Sequence, residues 1–165
     1  MTSSNHRLRR TSAAAAILLS AAVACSPTDV TSATAVPTPP AQTAEYCQAL
    51  HKELPEKVIE DAERRDVSPR SPLTAGWGDP AIVLRCGIDR PAEMDDPNAN
   101  GVDVDGVSWM FQDRGEDGLR FVTTYREAYV ELTVPASYHA DAGILVKLAK
   151  PVERTIPKSL ADPQF

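Results

Sequence analysis

Residues 1–44 read as a leader and a tether, and this places the expected globular fold in the remaining 121 residues, 45–165. Met1 to Thr11 is polar and basic, with Arg7, Arg9 and Arg10 and no acid. Ala13 to Ala24 is apolar except for Ser20, and Ala22-Val23-Ala24 places small residues before Cys25. That order predicts a secretory signal peptide over 1–24. A membrane span needs about 20 apolar residues. This run has 12 and a polar segment follows it, so a permanent span is rejected. Arg9-Arg10 raises twin-arginine export, but Thr11-Ser12 stand where bulky apolar residues are usual, and an ordinary basic leader fits better.

Two readings compete at the cleavage site. Ala22 to Cys25 can be a lipobox, whose cysteine takes a diacylglycerol, or an A-x-A site that Cys25 merely follows. Ala22 stands where a lipobox usually has Leu. Two features favour the lipid. The chain has three cysteines, Cys25, Cys47 and Cys86. Exported domains tend to pair their thiols, and a Cys47–Cys86 disulfide leaves Cys25 over. Residues 25–44 are also rich in Ser, Thr, Pro and Ala, with one charge, Asp29. Such a composition predicts an extended, disordered tether. The expected location is extracytoplasmic, anchored to the cell membrane through Cys25, with plain secretion as the alternative.

Removing the three arginines of residues 1–24 from the chain's 17 Lys and Arg leaves 14 against 23 Asp and Glu, a net charge of −9 from Cys25 onward. That surface repels phosphate backbones, so nucleic acid is not an expected partner. A Cys47–Cys86 bridge closes a loop of about 40 residues and stabilises by about 4 kcal/mol. A zinc site from Cys47, His51 and Cys86 is the rival. Cys47 and His51 share a helix face at i and i+4, but structural zinc wants four closely paired ligands.

Residues 45–165 suit one domain. A helix is predicted over Ala44 to Arg65, with Cys47, Leu50, Leu54, Val58 and Ala62 as its apolar stripe and a kink at Pro55. Residues 66–74 and 89–103 read as loops, and Gly76 to Pro80 as a turn. Strands are expected at Ala81 to Ile88, Gly106 to Gln112, Leu119 to Arg126 and Tyr129 to Val134. In the last, Val130, Leu132 and Val134 alternate with Tyr129, Glu131 and Thr133. A helix from Asp141 to Lys150 is limited by Pro151. The expected fold is α+β: a kinked N-terminal helix, a four-stranded, mainly antiparallel sheet, and a C-terminal helix on the same face.

Chemistry is sparse. His6 falls in the signal segment, His51 lies on the first helix and His139 in a loop. A Ser or Cys nucleophile needs a base and a group that orients it, and no G-x-S-x-G elbow occurs. Asp96-Pro97-Asn98-Ala99-Asn100-Gly101 matches the first half of a calcium loop. The match fails at Asp103, where an apolar residue is usual, and at Val107, where a bidentate Glu is needed. A solvated acidic loop is expected, with no cofactor and no metal. Trp77 can stack on a ligand or dock against the first helix; Trp109 suits the core.

Trp77-Gly78-Asp79-Pro80-Ala81-Ile82-Val83-Leu84-Arg85-Cys86-Gly87 resembles the central signature of a family of exported proteins from high-GC Gram-positive bacteria, domain-of-unknown-function family thirty-five-fifteen. Cys47, Leu50, Leu54, Pro55 and Val58 resemble its N-terminal helix. Gly106-Val107-Ser108-Trp109 resembles its second strand, where Asp is more usual at 108, and Thr123-Thr124-Tyr125-Arg126 and Val134-Pro135 resemble later points. The resemblance covers most of 45–150. It implies a secreted or lipid-anchored, disulfide-bonded envelope domain, and brings no activity and no catalytic residues. Two functions follow as expectations: a non-catalytic envelope lipoprotein that binds a protein or small ligand, and an extracytoplasmic hydrolase of envelope material. A deep pocket holding His51 or His139 beside a carboxylate or a Ser favours the hydrolase. A flat or apolar groove favours the binder.

Overall fold

The computed structural model describes residues 33–159. The signal segment 1–24, Cys25 and the tether up to residue 32 lie outside them. Helix α1 spans Ala41–Glu53. Strands follow at Lys57–Ile59 (β1), Ala62–Arg65 (β2), Thr74–Trp77 (β3) and Ile82–Ile88 (β4). The second group is Asn100–Val104 (β5), Val107–Asp113 (β6), Leu119–Thr123 (β7) and Tyr129–Val134 (β8). A 3-10 turn at Ala142–Leu145 leads into α2, Val146–Thr155.

The fold is α+β, but the sheet has eight antiparallel strands where four are expected from sequence. Its order is β1-β2-β3-β4-β8-β7-β6-β5. Two four-stranded meanders are thus joined where β4 pairs β8, with Leu84 opposite Leu132. The four strands expected from sequence correspond to β4, β6, β7 and β8. The others are short, polar or glycine-bearing. Helix α1 ends at Glu53, with Leu54 already extended, instead of running to Arg65. Pro55 is the reason, since its ring clashes with the preceding helical turn. Val58 and Ala62 are buried from strands instead of from a helix. Their spacing of four is even as well as helical, so it does not distinguish the two periods. Conversely, α2 continues through Pro151. Buried Leu148, Ala149, Val152 and Ile156 hold the turn beyond it against the core.

Both helices cover one face of the sheet: α1 packs on α2 and β4, and α2 on β6. Inward residues from every layer meet in one core, including Trp77, Leu84, Trp109, Phe121 and Leu132. The Cys47–Cys86 disulfide, Cα–Cα 5.5 Å, ties α1 to β4. The opposite face carries a smaller cluster of Met94, Met110 and Val122 beside a polar row. In that row Glu131 accepts from Arg85 Nε and from Arg120 Nε, each at 2.7 Å.

Residues 33–40 have no regular secondary structure and meet the sheet and a loop. The Thr34 N–H donates to the Ser68 carbonyl at 2.7 Å, and Arg85 donates to the Ala35 carbonyl at 3.4 Å. Pro39 closes on Gly87, whose φ of +85° favours glycine and where a Cβ would lie 2.6 Å from the proline ring.

Eight flat strands would spread their edges about 34 Å apart. Here the one 3-10 turn at 142–145 touches both edge strands, β1 and β5. The sheet is therefore curled into a trough, with that turn closing its open side.

Candidate functional site

A cavity of about 500 Å³ lies between the end of α1, strands β2 and β3, and the loop joining them. It depends on strands that a continuous helix through residue 65 would not form. After Pro55 ends α1, β2 pairs with β3, with Arg64 opposite Trp77 and Arg65 opposite Gly76. Gly76 must lack a side chain, since a Cβ there would stand 2.4 Å from Val67 Cγ1. Without one, Val67 folds over the strand and the connecting loop becomes a cavity wall.

His51, from the last turn of α1, and Arg64, from β2, both line this space. Arg64 Nη2 lies 3.3 Å from His51 Nε2. A guanidinium only donates, so Nε2 accepts and the ring proton resides on Nδ1. Burial, then the Arg64 charge, holds the His51 pKa below its ordinary value, against the opposing effect of the Thr74 backbone. The ring is neutral at pH 7, and its one lone pair, on Nε2, is taken by Arg64.

Trp77 is wholly buried below the cavity. Its indole N–H donates to the Pro55 carbonyl at 2.9 Å, and the Arg64 guanidinium stacks on its ring at 5.1 Å from the centroid. Trp77 thus docks beneath the end of the first helix and presents no free face for a sugar. Glu56, Asp66 and Ser71 also border the cavity. Asp66 is ion-paired with Arg70, and Ser71 Oγ accepts the Leu73 N–H at 3.1 Å.

The other candidates lie apart. His139 is an exposed residue with φ +46° after a 3-10 turn, away from the cavity lining. Cys47 and Cys86 are joined to each other and His51 is engaged with Arg64, so the trio does not form a zinc site. In the calcium-like run, Asp96 Oδ1 caps the Asn98 N–H at 2.8 Å. Asn100 to Asp103 are extended in β5, and Asp103 accepts the Ser108 hydroxyl at 3.0 Å. The expected loop over 89–103 therefore ends in a strand. Asp105-Gly106, with φ of +49° and +79°, is the turn signal that marks this hairpin. Among the described residues no group of three or more His, Cys, Asp or Glu could hold a metal ion. No helix there is long and apolar enough to cross a membrane.

Arg64 carries no cue in the sequence. It reads as the polar end of a long helix, and only the pairing of β2 with β3 sets it over Trp77.

These features define a disulfide-braced α+β domain with a ligand-sized polar cavity at the foot of its first helix. The chain belongs to the family described as Protein of unknown function (DUF3515), whose model matches residues 11–160. No curated protein and no solved structure matches it.

Proposed function

We propose that the protein is an exported, lipid-anchored binding module of the cell envelope, which takes a small ligand in the cavity between α1, β2 and β3. The observation that carries this reading is how His51 is used. A general base must offer a nitrogen to the proton it removes. Here the one nitrogen with a free lone pair, Nε2, accepts from Arg64. The cavity is furnished to hold a ligand, and its histidine serves that furnishing. The anchor rests on the leader sequence, on Cys25 at the cleavage site, and on the removal of the other two cysteines into a disulfide. The acidic surface argues against nucleic acid as a partner.

The hydrolase reading has one observation in its favour: His51, Ser71, Glu56 and Asp66 border the same space. His51 accepts from Arg64, Ser71 Oγ accepts from Leu73 and Asp66 pairs with Arg70, so a histidine–serine relay would need the cavity to rearrange.

Two measurements test the proposal. Cys25→Ser should move the protein from the membrane fraction to the soluble one and leave the disulfide formed; a variant still in the membrane sinks the anchor. Incubation with envelope small molecules, followed by filtration and mass spectrometry, should return a retained species chemically unchanged. New products that vanish with His51→Ala would establish the hydrolase instead.

A further inference from the structure

The cavity has three arginines, and two of them are committed. Arg70 pairs with Asp66. Arg65 bonds the Gly78 carbonyl at 2.9 Å and Asp79 at 3.3 Å. Arg64 is different. It is half-buried, and among the described residues no carboxylate lies within 4.0 Å of its guanidinium. A guanidinium has five N–H donors, and His51 accepts one. Glu56 and Asp66 act on Arg64 only through space, and burial outweighs them in lowering its pKa. A half-buried cation whose counter-charges stay out of contact is costly. An oxyanion entering the cavity would relieve that cost.

The fork is also held in place. Trp77, bonded to Pro55, supports one face of the guanidinium, and the neutral His51 fixes Nη2. A donor array held before the ligand arrives loses less freedom on binding. We infer that Arg64 binds the carboxylate of a small monoanionic ligand in this cavity, an inference that rests on the binding-module reading above. Charge selects the monoanion. Arg64, Arg65 and Arg70 face Glu56 and Asp66, which leaves one net positive charge in the lining. A chain of net charge −9 from Cys25 onward also repels polyanions such as phosphate. Planar carboxylate matches the guanidinium fork in two parallel bonds. Val67, Pro72 and Ala75 supply an apolar wall for the ligand's body.

The experiment is an NMR titration of the mature chain carrying Cys25→Ser, following the Trp77 indole and His51 ring resonances. The probes are sodium butyrate, inorganic phosphate and butylamine. Butyrate should shift both resonances saturably, phosphate should bind more weakly, and butylamine should shift neither. Arg64→Gln should weaken butyrate at least about tenfold, equivalent to about 1.4 kcal/mol. Should that variant fail to fold, Arg64→Lys keeps the charge, loses the fork, and should weaken butyrate at least about threefold, or about 0.65 kcal/mol. The inference is overturned if butyrate gives no saturable shift at tens of millimolar, if phosphate binds more tightly, or if the folded Arg64 variant binds butyrate as the parent does. None of these outcomes touches the anchor, which Cys25→Ser fractionation decides, or the absence of turnover, which mass spectrometry decides.

Discussion

Glu131 stands between two arginines on the helix-free face of the sheet, with its side chain 5% exposed. Arg120, 9% exposed, holds Oε2, and Arg85, 29% exposed, holds Oε1. Arg120 is braced further by Gln112, whose Oε1 accepts from Nη1 at 2.9 Å. Removing one partner of a buried ion pair leaves the other desolvated and uncompensated. Glu131→Gln keeps the shape and removes the charge that two guanidinium groups share. It should lower the unfolding free energy by about 3 kcal/mol, read from urea denaturation with an unchanged slope. A loss below about 1 kcal/mol would place this glutamate in the range of surface pairs. Glu131 illustrates what alternation along a strand leaves out. Val130, Leu132 and Val134 are identifiable as core from period two, and all three are buried. The same alternation assigns Glu131 to the far face, where it would be expected to meet water. Its burial comes from Arg85 and Arg120, which reach it across the two neighbouring strands.

At the scale of elements, the disulfide joins the first helix to the fourth strand, and the residues between hold three short strands and a long loop. They include β1, β2, β3 and the cavity loop. Closing a loop of about 40 residues removes about 4 kcal/mol of unfolded-chain freedom. The double variant Cys47→Ala/Cys86→Ala should lose about that much in thermal or urea unfolding; a loss under about 1 kcal/mol would mean that α1 and β4 hold each other without it. The elements legible in the sequence are those with strong local patterns: β4, β6, β7, β8 and the start of α2. The illegible ones lack such patterns for separate reasons. Lys57–Ile59 and Ala62–Arg65 are edge-side strands rich in charge, and they continue the spacing of a helix that Pro55 ends. Thr74–Trp77 contains a glycine that reads as a turn, yet Gly76 is there so that Val67 can lie over it. Asn100–Val104 has too few apolar residues for a strand, and Asp105-Gly106 is its one clear marker. Of the cavity's central residues, His51 and Trp77 stand out in the sequence as rare side chains. Arg64 does not, because its position depends on a pairing between β2 and β3.

For the whole molecule, the 3-10 turn at 142–145 is the keystone of the curled sheet. Ile144 and Leu145 are buried, and the turn meets β1 and β5, the two ends of the strand order. Leu145→Ala should cost about 3 kcal/mol through the cavity it leaves. Hydrogen exchange should then rise in β1 and β5 together while the β4–β8 centre stays protected. Loss at one edge alone would show that the turn does not link them. The contact between Thr34 and Ser68 bears on mechanics. Ser68 belongs to the loop that walls the cavity, so the chain leaving toward Cys25 departs from the wall itself. Cys25 and Thr34 are nine positions apart, a leash of at most about 30 Å when drawn straight. If Cys25 is the anchor, as proposed, the loop beside the cavity sits at the moored end of the domain, and tension on the mooring line would reach that loop through the Thr34–Ser68 bond.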